Sequence, residues 1–364
     1  MALPAEIRTL AFYLPQYHPI PENDAWWGPG FTEWTNVSQA RPRFRGHNQP
    51  HIPADLGFYD LRLPESRQAQ ADLARAAGLH GFCYYHYWFN GKRLLNRPFD
   101  EVLASGQPDF PFCLCWANEN WTRTWDGQAD HLLIGQDYSA EDDRAHMRWL
   151  LPAFADPRYI RVDGKPLFLV YQATKLPDPK RTTQIWRDEA CSAGIGEIYL
   201  CKVESFQDSR RPPAEWGFDA AVEFQPDTAA LFTPLEKAWW RLVKAVNLRH
   251  GALVLSYAGW ARRALRRPQP AYVRFPAVTP AWDNSARRRS GAFVLHKSRP
   301  DLYESWLRAT IQRFVPPSPQ ENFVFVNAWN EWAEGNHLEP CQRWGHAYLD
   351  ATRRALGYAD GGQP

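Results

Sequence analysis

No run of about 18 consecutive apolar residues occurs in the 364-residue chain, so no membrane-spanning helix is expected. The N-terminus, MALPAEIRTLAFYLPQYHP, lacks a basic stretch followed by an apolar one. No secretory signal is read there, and the cytoplasm is the expected location. Formal net charge is only +2, which excludes bulk nucleic-acid binding. The six cysteines include no CxxC pair and no zinc-ligand spacing, so no metal site is expected. Most lie in apolar, strand-like runs and read as buried free thiols, with Cys113 and Cys115 sharing one strand face. No glycine-rich loop follows a strand, which removes the phosphate-cradling nucleotide folds, and no cofactor is expected.

What the chain has in excess is aromatic. Eighteen Trp, 15 Tyr and 20 Phe sit in a sequence of mean hydropathy −0.54. So many rings in a polar chain suggest a ligand surface as well as a core. Eight apolar or aromatic runs read as strands: 8–18, 80–89, 111–120, 166–172, 197–205, 218–226, 271–284 and 322–332. Amphipathic helices are read between them at 64–78, 141–155, 182–194 and 300–314. Eight alternations predict an α/β fold, a (β/α)8 TIM barrel forming a single domain over 1–364. An open doubly wound sheet is the alternative. Nearly every run begins apolar and finishes on polar or aromatic groups, as expected where strand ends build a site.

The most informative segment is VNAWNEWAEGNHLEP, which sets Glu331 and Glu334 three residues apart at the end of the eighth strand. Glycosidic-bond chemistry needs two carboxyls in opposite states. One stays protonated to help the leaving oxygen depart, and the other is ionised near the anomeric carbon. Indole rings such as Trp332 can cover a sugar's C–H face and raise a buried acid. The plainer reading is a helix start that favours acids near its dipole.

Other strand ends supply candidate sugar contacts. Tyr13, Gln16, Tyr17 and His18 close the first run, and Glu33 and Trp34 lie in the following loop. His86 and Trp88 end the second run on one face, where a satisfied structural histidine is the competing reading. Trp116, Asn118, Glu119, Asn120 and Trp121 give rings, amides and an acid at the third, and Glu119 rivals either catalytic Glu. Trp282 and Asp283 end the seventh, with Asp283 able to orient a catalytic group. Asn330 and Trp332 flank the acid pair, while Glu339 reads as a brace for the loop. The acids Glu141, Asp142 and Asp143 sit at a helix start, where capping explains them.

Residues 229–270 carry eight Lys or Arg against one acid, Glu236. They predict a basic, largely helical insertion between strands 6 and 7. Within it Trp239, Leu242, Val243 and Val246 fall at helical spacing, with Arg241 and Lys244 on another face. A solvated insertion is one reading. Peripheral contact with an anionic membrane, or with an anionic glycan carrier, is the other.

Long motifs then carry a resemblance. AFYLPQYHPIPENDAWWGPGFTEWTNV, HIPADLGFYDLR, GFCYYHYWFNGKRLL, FCLCWANENWTRTWDG and AWNEWAEGNHLEP occur in order over about residues 10–340. Together they resemble the WbsX-like glycosyltransferase family of O-antigen clusters, itself related to glycoside hydrolase family 99, the endo-α-mannosidases. The resemblance implies a (β/α)8 barrel acting on an oligosaccharide or lipid-linked glycan. For the hydrolase relatives it implies retention without a protein nucleophile. The first Glu of NEWxEG takes the proton of the sugar 2-hydroxyl, whose oxygen attacks the anomeric carbon to give a 1,2-anhydro sugar. The second Glu serves as general acid, then base. Carried over by position, Glu331 is the 2-OH base and Glu334 the acid/base.

The sequence holds no DxD-like diphosphate motif, which favours cleavage or transfer from a glycoside over use of a nucleotide sugar. A catalytically silent glycan-binding barrel is the reading from another class. Its expected mark is an Arg or Lys that neutralises both acids.

Overall fold

A computed structural model of the protein is described for residues 7–123, 128–205, 210–245 and 251–358. Eight staves form its centre. They are β1 (Arg8–Tyr13), β2 (Gly81–Phe89), β3 (Phe112–Trp116), β4 (Lys165–Val170), β5 (Tyr199–Glu204), β6 (Ala220–Glu223), β7 and β8 (Phe323–Val326). β7 comes in two halves, Arg274–Phe275 and Ala277–Val278, separated by Pro276, which has no N–H for the ladder. Successive staves pair in parallel, the first half of β7 with β6 and the second with β8. β8 returns to β1 with Phe325 beside Leu10, giving a nearly closed (β/α)8 barrel.

Register decides which residues fill it. Phe12 lies beside Cys83, Cys83 beside Cys113, and Cys115 beside Leu169, which lies beside Cys201. These side chains share the inner face, where Phe12 stacks on Tyr85 and meets Phe224 and Phe325. Cys113 and Cys115 are therefore interior packing, and all six cysteines are free. The alternate residues face the helices. Phe168 packs against Trp186 of the helix Pro179–Ser192 and His146 of the helix Ala140–Ala155. Each large apolar group buried in this layer stabilises by roughly 2 kcal/mol.

Helix starts follow their sequence signals. Ser139 caps the helix Ala140–Ala155 by accepting from Asp142 N, and Glu141, Asp142 and Asp143 occupy its first turn. Between Glu204 and Ala220 the described residues form only a short 3-10 turn, Pro213–Trp216. The outer face of β5 and β6 is correspondingly charged. Lys202 pairs with Glu204 at 3.2 Å, and Arg267 meets Glu223 and Asp227 at 3.1 and 2.8 Å.

Between β6 and β7 run the short helix Thr228–Leu231, the helix Pro234–Ala245, a strand Ala252–Ser256 and the helix Tyr257–Arg266. The strand pairs in parallel with Ala292–His296, so this stretch is not purely helical. The expected apolar face is also corrected. Val243 is buried against the body, whereas Leu235, Trp239 and Leu242 are exposed. Val246, Arg249 and the Lys244 side chain lie outside the described residues.

Candidate active site

The acid-bearing segment forms a small hairpin. Asn330 and Glu331 pair antiparallel with His337 and Asn336, and a 3-10 turn, Trp332–Glu334, joins the two sides. The plainer expectation of a helix start therefore does not describe it. A 3-10 turn repeats every three residues, which places Glu331 and Glu334 on one side. Tyr17 bolts the hairpin to the end of β1: its hydroxyl donates to Asn330 O at 2.5 Å and accepts from Trp332 N at 3.1 Å. Asn330 completes the clamp, accepting from Leu14 N at 2.7 Å and donating to Leu14 O at 3.0 Å.

Arg287 organises the carboxyls. Its Nε meets Glu33 at 3.1 Å, Nη2 meets Glu331 at 2.8 Å and Nη1 meets Glu334 at 3.0 Å. Each guanidinium nitrogen thus serves a different acid. Glu33 is fully buried at the first position of the helix Glu33–Gln39, whose cap is Thr32. Burial pushes Glu331 up to about 8, against the pull of Arg287 and with repulsion from Glu334 and Glu33. Burial raises Glu334 as well, again opposed by Arg287. Three carboxyls share the one bridging guanidinium, with Arg288 adding a weaker pull on Glu334, so the raised titration belongs to the Glu331–Glu334 pair rather than to either acid alone.

The loop holding Arg287 is itself pinned. Arg43 N donates to His47 Nδ1 at 3.0 Å, which leaves the proton on Nε2 for Asp283 at 2.6 Å. Asp283 also accepts from Gln49 at 2.7 Å and from Ser285 N at 3.0 Å. Burial would raise this carboxyl, but its hydrogen bonds outweigh that and hold it low. Its backbone N donates to Glu334 O at 2.6 Å. Asp283 orients the loop and the acid pair together.

Several expected contacts are turned elsewhere. Tyr13 is on the helix side of β1 and gives its hydroxyl to Gln70 at 2.7 Å. His86 bonds His146 at 2.9 Å and stacks on Trp149, and Trp88 donates to Asp142 at 2.8 Å, so both serve the helix Ala140–Ala155. Trp116 donates to Trp88 O and packs on Trp186. Asn118 clamps Gln172 through N–H and C=O bonds, and Asn120 accepts from Gln136 N. His18 is buried near Asp60 and Arg62, held down to about 4 by burial and hence neutral. Trp34 and Trp332 form a packed wall with Tyr17 and Tyr59 rather than an open face. Glu339 braces that wall, accepting from Tyr59, Gln70 and Trp332 at 2.8, 2.6 and 2.6 Å.

The structure does bring Gln16, Tyr17, Glu33 and Glu119 towards the acid pair. Gln16 donates to the Tyr87 hydroxyl at 2.8 Å. Tyr87 and Tyr85 both feel the charge of Glu331. Trp121 packs edge-on against Tyr87 at 5.1 Å, and Trp282 is half-buried beside Asp283. Glu119 accepts from Gln172, and burial followed by the charge of Glu334 pushes it up to about 7. Sequence reasoning missed Arg287, Tyr85, Tyr87 and also Tyr171, a buried phenol raised by burial and by the charges of Glu119 and Glu334. The two tyrosines of β2 alternate with His86 and Trp88, so opposite parity would have found them. Arg287 follows Trp282-Asp283-Asn284, past the end of β7, where a barrel builds its site.

Among the described residues no group of three or more His, Cys, Asp or Glu could hold a metal ion. A cavity of about 590 Å³ lies at the opposite end, lined by Arg8, Leu79, Phe110 and Pro319 among others. Its lining contains no carboxylate.

Comparison with known proteins agrees with this architecture. A profile described as glycosyltransferase WbsX matches residues 9–352. The protein designated WxcX, uncharacterized, in two strains of Xanthomonas campestris pv. campestris is 49% identical over 356 residues. That match covers 97% of this chain and 50% of WxcX, so the chain spans about half the length of these curated relatives. Among solved structures, an endo-α-mannosidase of glycoside hydrolase family 99 from Bacteroides thetaiotaomicron superposes with TM-score 0.59, 14% identity and 96% of each chain covered. A glycoside hydrolase-like protein superposes with TM-score 0.61 and 16% identity, over 99% of this chain and 96% of its own. At these identities the likeness is one of fold.

Proposed function

The chain belongs to the WbsX glycosyltransferase family, a family of carbohydrate-active enzymes, and from that premise we propose that it breaks, or transfers across, an α-glycosidic bond with retention. Its substrate class is a bacterial surface polysaccharide or oligosaccharide. The observation that carries the reading is the acid pair itself: a buried Glu331 and a half-buried Glu334, both raised, held on separate prongs of the Arg287 guanidinium. Glu331 takes the proton of the sugar 2-hydroxyl. The freed oxygen attacks the anomeric carbon while the bond to the leaving oxygen breaks, and Glu334 gives that oxygen its proton. Water or an acceptor hydroxyl then opens the 1,2-anhydro ring, returning a proton to Glu334 as O2 recovers one from Glu331.

A bridge from one basic side chain to both acids was the expected mark of a silent binder, and Arg287 does bridge them. It does not neutralise them, because it is shared with Glu33, and even with Arg288 near Glu334 the three acids outnumber the guanidiniums by one. That excess supports an enzyme. Transfer from a phosphate-activated donor is the second reading, favoured by one observation. Arg288 is a second guanidinium within the field of Glu334, destabilised by burial and suited to a donor phosphate. A lipid-linked glycan would bring the enzyme to a membrane, and the basic insertion is the part of the chain suited to meet one.

Product chromatography on a panel of oligosaccharides and sugar phosphates tests the assignment. Glu331→Gln and Glu334→Gln should each lose activity by several orders of magnitude while remaining folded. Full activity in both would end the proposal. An Arg288→Ala protein that loses turnover only of sugar-phosphate donors would favour the second reading.

A further inference from the structure

The helix Pro234–Ala245 exposes what a helix packed on a barrel ordinarily hides. Leu235 is 83% exposed, Trp239 54% and Leu242 51%, and Ala238 and Ala245 are exposed beside them. At about 100° per residue these positions fall in one sector of roughly 120°, a continuous apolar stripe. The opposite side is seated firmly. Trp240 packs edge-on against Phe232 at 5.3 Å and donates to Gly291 O at 3.1 Å, and Val243 is buried. The stripe is therefore presented by an anchored helix, and its anchor Gly291 lies four residues along the chain from Arg287.

Charge says what covers it. Arg241 flanks the stripe on the same helix, and Arg262 and Arg266 are exposed on the helix Tyr257–Arg266. The one acid in residues 229–270, Glu236, is spent on Arg263 at 2.7 and 2.9 Å. A second copy docking isologously would set these arginines against their own images with no acid to answer them. A bilayer of anionic lipid answers both features, with headgroups for the arginines and acyl surface for Leu235, Trp239 and Leu242. We propose that this helix seats the enzyme peripherally on an anionic membrane surface.

The contact stands apart from the proposed reaction, since sedimentation reads it without turnover. The full chain should pellet with phosphatidylcholine vesicles containing phosphatidylglycerol, release as salt rises, and ignore pure phosphatidylcholine. Arg241→Glu combined with Arg262→Glu should abolish that lipid preference, each arginine contributing about five-fold in partitioning. Trp239→Ser with Leu242→Ser should lower binding at every salt concentration, with circular dichroism unchanged because both side chains are exposed. Equal binding to the two vesicle types, or none to either, overturns the proposal. So does a concentration-dependent dimer that Trp239→Ser dissolves, which would assign the stripe to a second copy.

Discussion

Arg287 reaches Glu331 at 2.8 Å from a loop 44 residues earlier in the chain, so the state of the acid is set by a part of the barrel far from its own stave. Because Arg287 pulls both acids of the pair down, removing it raises both. Arg287→Gln should therefore move the acidic limb of the kcat/KM profile to higher pH, since that limb reports ionisation of the base. It should also cost on the order of 3 kcal/mol in denaturant unfolding, because Glu33 is left buried without its cation. Arg287→Lys keeps the charge but not the fork, and should recover part of both effects. An unmoved limb in Arg287→Gln would contradict the coupling.

Glu119 makes a prediction of opposite sign to that of an ordinary surface acid. Burial raises it from 4.5 to about 7, so the folded state holds its proton more tightly than the unfolded chain does. The stability this contributes is present below pH 4.5 and is lost as pH climbs towards 7. Glu331 and Glu339, both raised, act in the same direction. Glu119→Gln should then melt higher than the parent at pH 8 and differ little from it at pH 4.5. Thermal scans at the two values check this, and a less stable variant at pH 8 would refute the burial argument.

The staves were legible because each is a short apolar run bounded by turn chemistry, and the acid pair was legible because it is contiguous. The direction of side chains was not. GFCYYHYWF is buried on both faces, so period-two alternation cannot tell the barrel interior from the helix layer. His86 and Trp88 were assigned to the site on composition, while Tyr85 and Tyr87 on the other parity went unread. Arg287 was illegible for another reason: its partners are 44 and 254 residues away, and no local pattern encodes an ion pair of that span.

The helix-side placement of Trp88 is itself open to trial. Trp88→Phe deletes the donor to Asp142 and should cost about 1–3 kcal/mol, read by denaturant unfolding. KM for a glycan substrate should stay at the parent value. A raised KM at unchanged stability would return Trp88 to the sugar site.

Gly335 closes the hairpin at φ +54, and a Cβ there would lie 2.9 Å from Asp283 Cβ. Gly345, at φ +50, has nothing within 4 Å of its added Cβ. Both Gly→Ala changes carry the backbone penalty of about 1 kcal/mol, but only Gly335→Ala must displace the loop of Arg287. A larger melting shift and a much larger fall in kcat are expected for Gly335→Ala than for Gly345→Ala. Equal falls in kcat would show that the close approach is irrelevant to turnover.

β8 zips to β1 residue for residue, from Arg8 beside Phe323 to Ala11 beside Val326. A ribosome delivers the acid-bearing stave after the other seven, so the edge of β1 waits unpaired through most of synthesis. Such an edge invites mispairing, and protecting it falls to whatever holds the nascent chain. The same ordering acts as a safeguard. An unfinished chain already contains Glu33 and Arg287 but neither Glu331 nor Glu334, so on the proposed chemistry it stays mute until the ring can close.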